Sequence, residues 1–371
     1  MPWITSSLRS SAQPDVNPLR LPRTLLILLQ VVKELSTVRI NKSRTAFQSV
    51  SPEIFQLLGS IYIDMVNRWV AFLEQGHMSE EPLLSTIEQS LVCLKVIRRL
   101  IIAGFEHPSR AKSVQNFWEL TYVHFTKFYS LVEIPAPSSQ VQKCVEKHLL
   151  QLSKLHVEMA KSHPASFALL PGCVILAKSY WSLVVKLGET YETDGLERIT
   201  PSLSSDSHEE KPLIEKMGLK ALLLIRACAK MAFNPAHTFK YQQPRDKEEK
   251  RESVELIKTQ LFTHDFVVNV MELLVTTFFK FRKTDFEEWE EDPEEWEKRG
   301  EDTSDAWEFS IRSCSEKLFL DLVINFKGLL VPRLLNVFYS FASEYLISCT
   351  PGGLFLNKTP RFQIPKTVTS C

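Results

Sequence analysis

Glycine is scarce in this chain, with 11 in 371 residues, and Asn-Gly or Asp-Gly pairs are few. Tight hairpins and phosphate-cradling loops both depend on glycine's access to positive φ, so a β-sandwich, a barrel or a glycine-looped nucleotide fold is disfavoured. Net charge is missing too: 44 basic and 44 acidic side chains cancel, and no global field recruits nucleic acid or an anionic membrane. The cysteines, Cys93, Cys144, Cys173, Cys228, Cys314, Cys349 and Cys371, are odd in number and never spaced as C-x-x-C. They read as reduced thiols of an intracellular protein, and Cys93, Cys144, Cys228 and Cys314 fall inside apolar helical patterns where a small buried hydrophobe is expected. Met1 to Pro22 has no apolar core, so no secretory signal is expected there. The most apolar stretches, Thr24 to Val32, Pro164 to Ala177 and Phe266 to Phe279, are short or interrupted, and no membrane insertion is expected.

Catalytic signatures are absent as well. The sequence contains no G-x-x-x-x-G-K-[ST], G-x-G-x-x-G, H-E-x-x-H, G-x-S-x-G or D-x-[DN]-x-[DN]-G. None of the nine histidines pairs with another at i+4. His148 and His156 are expected at surface or turn positions, as is His163, which precedes a proline. No catalytic residue, metal ligand or cofactor is therefore expected. An enzyme with a dispersed site would instead need a pocket gathering several perturbed ionisable groups.

What the chain does carry is helical periodicity. Leu25, Leu28, Leu29, Val32 and Leu35 share one face of a helix expected over Leu21 to Ile40. The next helix is expected to start at Ser51-Pro52, with serine as cap and proline in the first turn, and to run to Leu73, closing a hairpin with the first. The pattern recurs over Pro82 to Ala103, Arg110 to Val132, Gln140 to Ala160, and Pro164 to Leu187 with a split at Pro171-Gly172. It continues over Lys211 to Phe233, Lys247 to Lys280 with a break at Thr263-His264, Ala306 to Phe326, and Pro332 to Tyr345. These make about five antiparallel helix pairs that share a hydrophobic logic without a tight period, as in HEAT-like or armadillo-like repeats, where each pair must stack on its neighbours. A compact bundle would use the same helices, but ten or so long ones exceed what one bundle core can bury. The expected organisation is an unstructured segment over 1–20, an all-α repeat solenoid over 21–348 with a polar loop at 190–210 and an acidic loop at 285–305, and an irregular tail over 349–371.

The acidic loop stands apart. Between Asp285 and Asp305 twelve acids face only Lys298 and Arg299, and Trp289 and Trp296 are interleaved among them. A run of one sign is usually a solvated face, yet two indoles left wet are costly. Two compatible readings remain open: the indoles pin the loop onto its own wall, or they anchor a basic partner steered in by the carboxylates.

WEEDPEEW (Trp289 to Trp296), followed by SDAWEFSIRSCSEKLFLDLVINFKGLLVPRLLNVF (Ser304 to Phe338) with its R-x-x-S-x-x-L, resembles the signature stretch of the importin-beta superfamily, in particular its importin-eleven branch. HPASFALLPGCVILAKSY (His163 to Tyr180) is similar to the mid-array helix of the same branch. The resemblance covers about Leu21 to Phe341 and implies a HEAT-repeat nuclear transport receptor, shuttling between nucleus and cytoplasm. It implies cargo proteins, Ran GTPase in its GTP form and phenylalanine-glycine nucleoporins as partners, with no direct nucleic acid. By the same resemblance the acidic loop, Glu287, Glu288, Trp289, Glu290, Glu291, Asp292, Glu294, Glu295, Trp296 and Glu297, is expected to touch Ran or basic cargo. The family's amino-terminal helices are not found before Leu21 and Thr350 to Cys371 does not resemble a continuation, so truncation at both ends is expected. A scaffold of the same fold that assembles a complex without a GTPase is the competing function.

Overall fold

In the computed structural model the described residues are 2–11, 20–37, 40–75, 80–193, 211–238, 244–280, 289–294 and 306–348. They are helical almost throughout, with no strand among them. The chain divides into two compact units, Met1–Asn325 and Phe326–Cys371.

The first unit opens with α1 (Pro2–Ser11) and α2 (Arg20–Thr37). The part of 1–20 that is described is thus a helix, which corrects the expected unstructured segment. Leu8 is fully buried and α1 packs on α2 and α3, so tertiary burial holds a segment too short and too polar to be helical alone. In α2, Leu25, Leu28 and Val32 are buried at the expected spacing.

Helix α3 spans Asn41–Gln75 and passes straight through Pro52, ten residues before the expected start. Pro52 removes one backbone bond, at a typical cost of about 3 kcal/mol in a helix interior. The helix persists because Phe47, Ile54 and Phe55 on both sides of the proline are buried. Ser51 is not a cap: its hydroxyl is fully buried and donates to the Phe47 carbonyl at 2.8 Å.

Next come α4 (Glu80–Gly104), a 3₁₀ turn (Pro108–Arg110), α5 (Lys112–Val132) and α6 (Ser139–Ser162). Ser138 caps α6 by accepting from the Val141 amide at 3.3 Å. The short α7 (Pro164–Leu169) and α8 (Cys173–Thr193) follow. They are separated where expected, because Gly172 adopts φ 70°, a conformation that side chains rarely tolerate. Then come α9 (Leu213–Phe233), the single turn α10 (Pro235–Thr238), α11 (Pro244–Leu256) and α12 (His264–Leu273). Helices α11 and α12 each end in a π turn, Ile257–Leu261 and Leu274–Phe278. The chain bends by 67° between them, at the expected Thr263-His264 break, and Thr263 caps α12 through the Phe266 amide at 3.3 Å. A 3₁₀ turn (Ala306–Phe309) and α13 (Ile311–Asn325) close the unit. No single described helix is long and apolar enough to cross a membrane.

The helices lie in two layers. Helices α2, α4, α6, α9 and α13 pack successively side by side in one. In the other, α3 leans on α4, α5 on α6, and α8 on α9. Neighbours in this second layer meet through large rings: Phe55 with Phe117 at 5.5 Å, Trp69 with Phe128 at 4.9 Å, Phe125 with Tyr180 at 4.8 Å and Trp181 with Phe266 at 5.8 Å. The expected hairpin of the first two long helices is corrected here, since the main partner of α3 is α4 and α2 packs chiefly on α4 within its own layer. In a row of alternating antiparallel helices each one flanks two others, and a short turn does not say which it leans on.

Between the layers lies a polar seam that corrects the expected surface or turn placement of His148 and His156, whereas His163 does lie at the turn between α6 and α7. His148 and His156 are fully buried and His124 nearly so. Trp69 Nε1 donates to Ser90 Oγ at 3.1 Å, and His148 spans from Ser90 at 2.9 Å to the Cys144 carbonyl at 3.2 Å. His156 lies 3.0 Å from Thr121 Oγ1 and 2.9 Å from Tyr180 Oη, and His124 Nδ1 lies 3.2 Å from Tyr62 Oη. The Thr121 hydroxyl already donates to the Trp118 carbonyl at 2.6 Å. It therefore accepts from His156 Nε2, and the neutral ring accepts the Tyr180 proton at Nδ1. Burial holds His148 and His156 down to about 3 and His124 to about 4. With both nitrogens bonded, the rings of His148 and His156 act here as satisfied core groups.

In the second unit, α14 (Lys327–Ser348) begins five residues before the expected Pro332 start and carries that proline inside. Leu335, Phe338 and Tyr339 are exposed at i, i+3 and i+4.

Candidate partner-binding surface

Of the acidic stretch singled out in the sequence, Trp289, Glu290, Glu291, Asp292 and Glu294 are described, all of them exposed. Glu287, Glu288, Glu295, Trp296 and Glu297 lie outside the described residues. Trp289 is 47% exposed, so its indole retains a large wet face.

A second charged surface lies on the layer of α4, α6 and α9, and sequence reading missed it. Helix α6 is packed on three sides, by α4, α5 and α9. Between Val141 and Lys161 it keeps four exposed positions, and all four are lysine: Lys143, Lys147, Lys154 and Lys161. The last three recur every seven residues, about two turns, and so lie in one line along the helix. On the α4 side, Lys95 is lowered by partial burial and by the neighbouring charges of Lys147, Lys154 and Arg98. On the α9 side, Lys220 is lowered by burial and by Lys154 and Lys161, and Lys230 by burial and by Arg226 and Lys161. The cations of the three helices thus act on one another, while the exposed charges of α4 itself, Glu81 and Glu88, are acidic.

Three carboxylates from three different elements already sit on this surface. Glu158 of α6 pairs with Arg98. Asp321 of α13 pairs with Arg226 at 2.7 Å. Glu308, in the 3₁₀ turn after the acidic stretch, pairs with Lys161 at 2.6 Å. Lys95, Lys147, Lys154 and Lys220 have no ion-pair partner among the described residues. The signal that could have revealed this surface was the lysine heptad at 147, 154 and 161, which reads in sequence as ordinary amphipathicity.

Two other features bear on chemistry. His107, Asp246 and Glu249 bring ligand-type atoms within 4.8 Å of one another. Arg110 already donates to both carboxylates there, to Asp246 at 2.9 Å and to Glu249 at 2.8 Å, holding the Glu249 carboxyl below its usual range. This pair ties α11 to the 3₁₀ turn before α5. A hollow of about 410 Å3 at the α5–α6 turn is lined by residues 132–136, 138, 139 and 142. Its one ionisable side chain, Glu133, pairs with Lys186. Neither place gathers a nucleophile with a base.

A two-layer row of helices presenting broad polar faces defines a helical-repeat protein of the HEAT or armadillo class. No protein-family model matches the chain. It is 28% identical over 322 residues to the importin beta-like protein KAP120 of Saccharomyces cerevisiae, covering 86% of this chain and 29% of that protein. It is 24% identical over 320 residues to Importin-11 of mouse and of human, covering 86% of this chain and 30% of each. The solved structure of Lph2, described as a novel bidirectional nuclear transport receptor of S. cerevisiae, superposes with a TM-score of 0.69 at 27% identity, over 90% of this chain and 30% of that one. The chain's relatives in sequence and structure are importin-11-like members of the importin-beta superfamily. It spans about 30% of the length of these relatives.

Proposed function

We propose that this array is part of a nuclear transport receptor that carries protein cargo between cytoplasm and nucleus and performs no reaction of its own. The observation that carries the reading is the agreement of fold and sequence along nearly the whole chain with proteins described as importins and as a nuclear transport receptor. The two-layer geometry supports it, since affinity in such an array comes from many modest contacts along a row of helices. Ran in its GTP form, cargo proteins and phenylalanine-glycine nucleoporins are the partners this reading implies. The exposed Trp289, Glu290, Glu291, Asp292 and Glu294 are assigned as a contact for Ran or basic cargo, an indole anchor among steering carboxylates.

The test is a pull-down of the full chain with Ran locked in the GTP or the GDP state, with E290Q/E291Q/D292N/E294Q alongside. Retention on Ran-GTP over Ran-GDP, weakened in the neutralised variant, is expected. Equal retention in both nucleotide states would favour a scaffold that assembles a complex without a GTPase. Unchanged affinity for Ran and basic cargo in the variant would remove the acidic stretch from the binding surface.

A further inference from the structure

We propose that the lysine-lined face of α4, α6 and α9 is a docking wall for an acidic segment of a partner protein. The inference rests on the receptor reading only in treating the array as something that holds a protein. It names the chemistry of what is held.

Three observations converge on it. The first is bias of sign. A solvated helix face ordinarily mixes charges, as the opposite layer does: Glu53, Asp64 and Arg68 on α3, Lys112 and Glu119 on α5, Lys178 and Glu189 on α8. Every exposed position on α6 from Val141 to Lys161 is instead a lysine. Like charges so placed repel one another, and an anionic partner relieves that cost.

The second observation is that the wall already accepts carboxylates. Glu158, Asp321 and Glu308 arrive from separate elements and each finds a cation on it. The cations between these seats, Lys95, Lys147, Lys154 and Lys220, are the ones left to a partner. Lys147, Lys154 and Lys161 span about 21 Å along α6 at 1.5 Å per residue. An extended segment of about six residues covers that length at 3.3–3.6 Å per residue.

The third observation distinguishes a protein from a nucleic acid. Among the described residues, no exposed position of α4, α6 or α9 is aromatic, so nothing is offered for bases to stack on. The interposed Glu158, Asp321 and Glu308 would also repel an unbroken phosphate track.

The test uses the full chain and a fluorescein-labelled twelve-residue peptide alternating Glu and Asp with Leu, followed by anisotropy at low and physiological salt. Saturable binding that weakens with salt is expected. The charge reversal K147E/K154E/K161E is expected to weaken it on the order of tenfold or more, while K147R/K154R/K161R preserves it. These lysines are exposed, and a circular dichroism melt verifies that each variant folds. R68E/K112E/K178E, on the other layer, is expected to stay within about twofold of the parent.

No binding of the acidic peptide at low salt overturns the proposal, as does an unchanged affinity in the charge-reversed variant. Tighter binding of a single-stranded oligonucleotide of matched charge assigns the wall to nucleic acid and overturns it too. No Ran or nucleoporin enters this assay, so its failure leaves the receptor reading standing, and a failed Ran pull-down leaves this inference standing.

Discussion

Acid should unfold this protein through its buried histidines. His148 and His156 bind a proton only near pH 3 in the folded chain, and His124 near pH 4. In the unfolded chain all three titrate near 6.5. The unfolded state therefore holds more protons below pH 6.5, and stability falls as pH drops from there toward each folded value. At pH 5 the gap is worth about 2 kcal/mol for each ring, at 1.36 kcal/mol per pH unit. The three together cost about 6 kcal/mol, a large share of the 5–15 kcal/mol typical of a domain. The structural reason is local. Protonating His156 at Nδ1 sets an N–H against the Tyr180 hydroxyl that was donating to it, with Thr121 already engaged on the other side. Urea unfolding at pH 7.5 and pH 5 measures the loss. Carboxylates also contribute to acid denaturation, so the decisive comparison is His156→Asn, which should be less stable at pH 7.5 yet lose about 2 kcal/mol less than the parent between the two pH values. An identical pH dependence in parent and variant would refute the assignment of a neutral, buried ring.

Other outcomes follow from single contacts. A Cβ at Gly104 would lie 2.3 Å from Ser51 Oγ and 2.6 Å from its Cβ, so Gly104→Ala should cost about 1–3 kcal/mol in chemical denaturation. A Cβ at Gly59 would meet nothing within 4 Å, so Gly59→Ala should gain up to about 1 kcal/mol. Trp69→Ala removes a fully buried indole that touches Phe128 and donates to Ser90, and a loss of about 3–5 kcal/mol is expected by the same assay. Arg110→Met cuts the link between the 3₁₀ turn and α11, and hydrogen exchange should accelerate over Pro244–Leu256 while α6 and α9 stay protected.

Much of the fold was legible because it is local. The apolar positions of α2, the Gly172 break, the Thr263-His264 break and the ends of α5 and α9 follow from periodicity and turn chemistry, which a chain carries in its neighbouring residues. Pro52 misled for the same reason. As a local signal it marks a helix start, and only the burial of Phe47 and Ile54 against other helices overrides it. The candidate surfaces divide the same way. The acidic stretch is contiguous, so counting finds it, whereas the positive wall is assembled from α4, α6 and α9, whose lysines are far apart in the chain.

The sequence by itself determined that this chain is helical, where most of its helices run, and which superfamily it resembles, because helical pitch and short motifs are properties of neighbouring residues. The tertiary structure alone decided which helices share a layer, that His148 and His156 lie in the core with both ring nitrogens bonded, and that lysines from three helices act on one another. Those depend on which apolar stripes meet, a choice made by packing between segments distant in the chain.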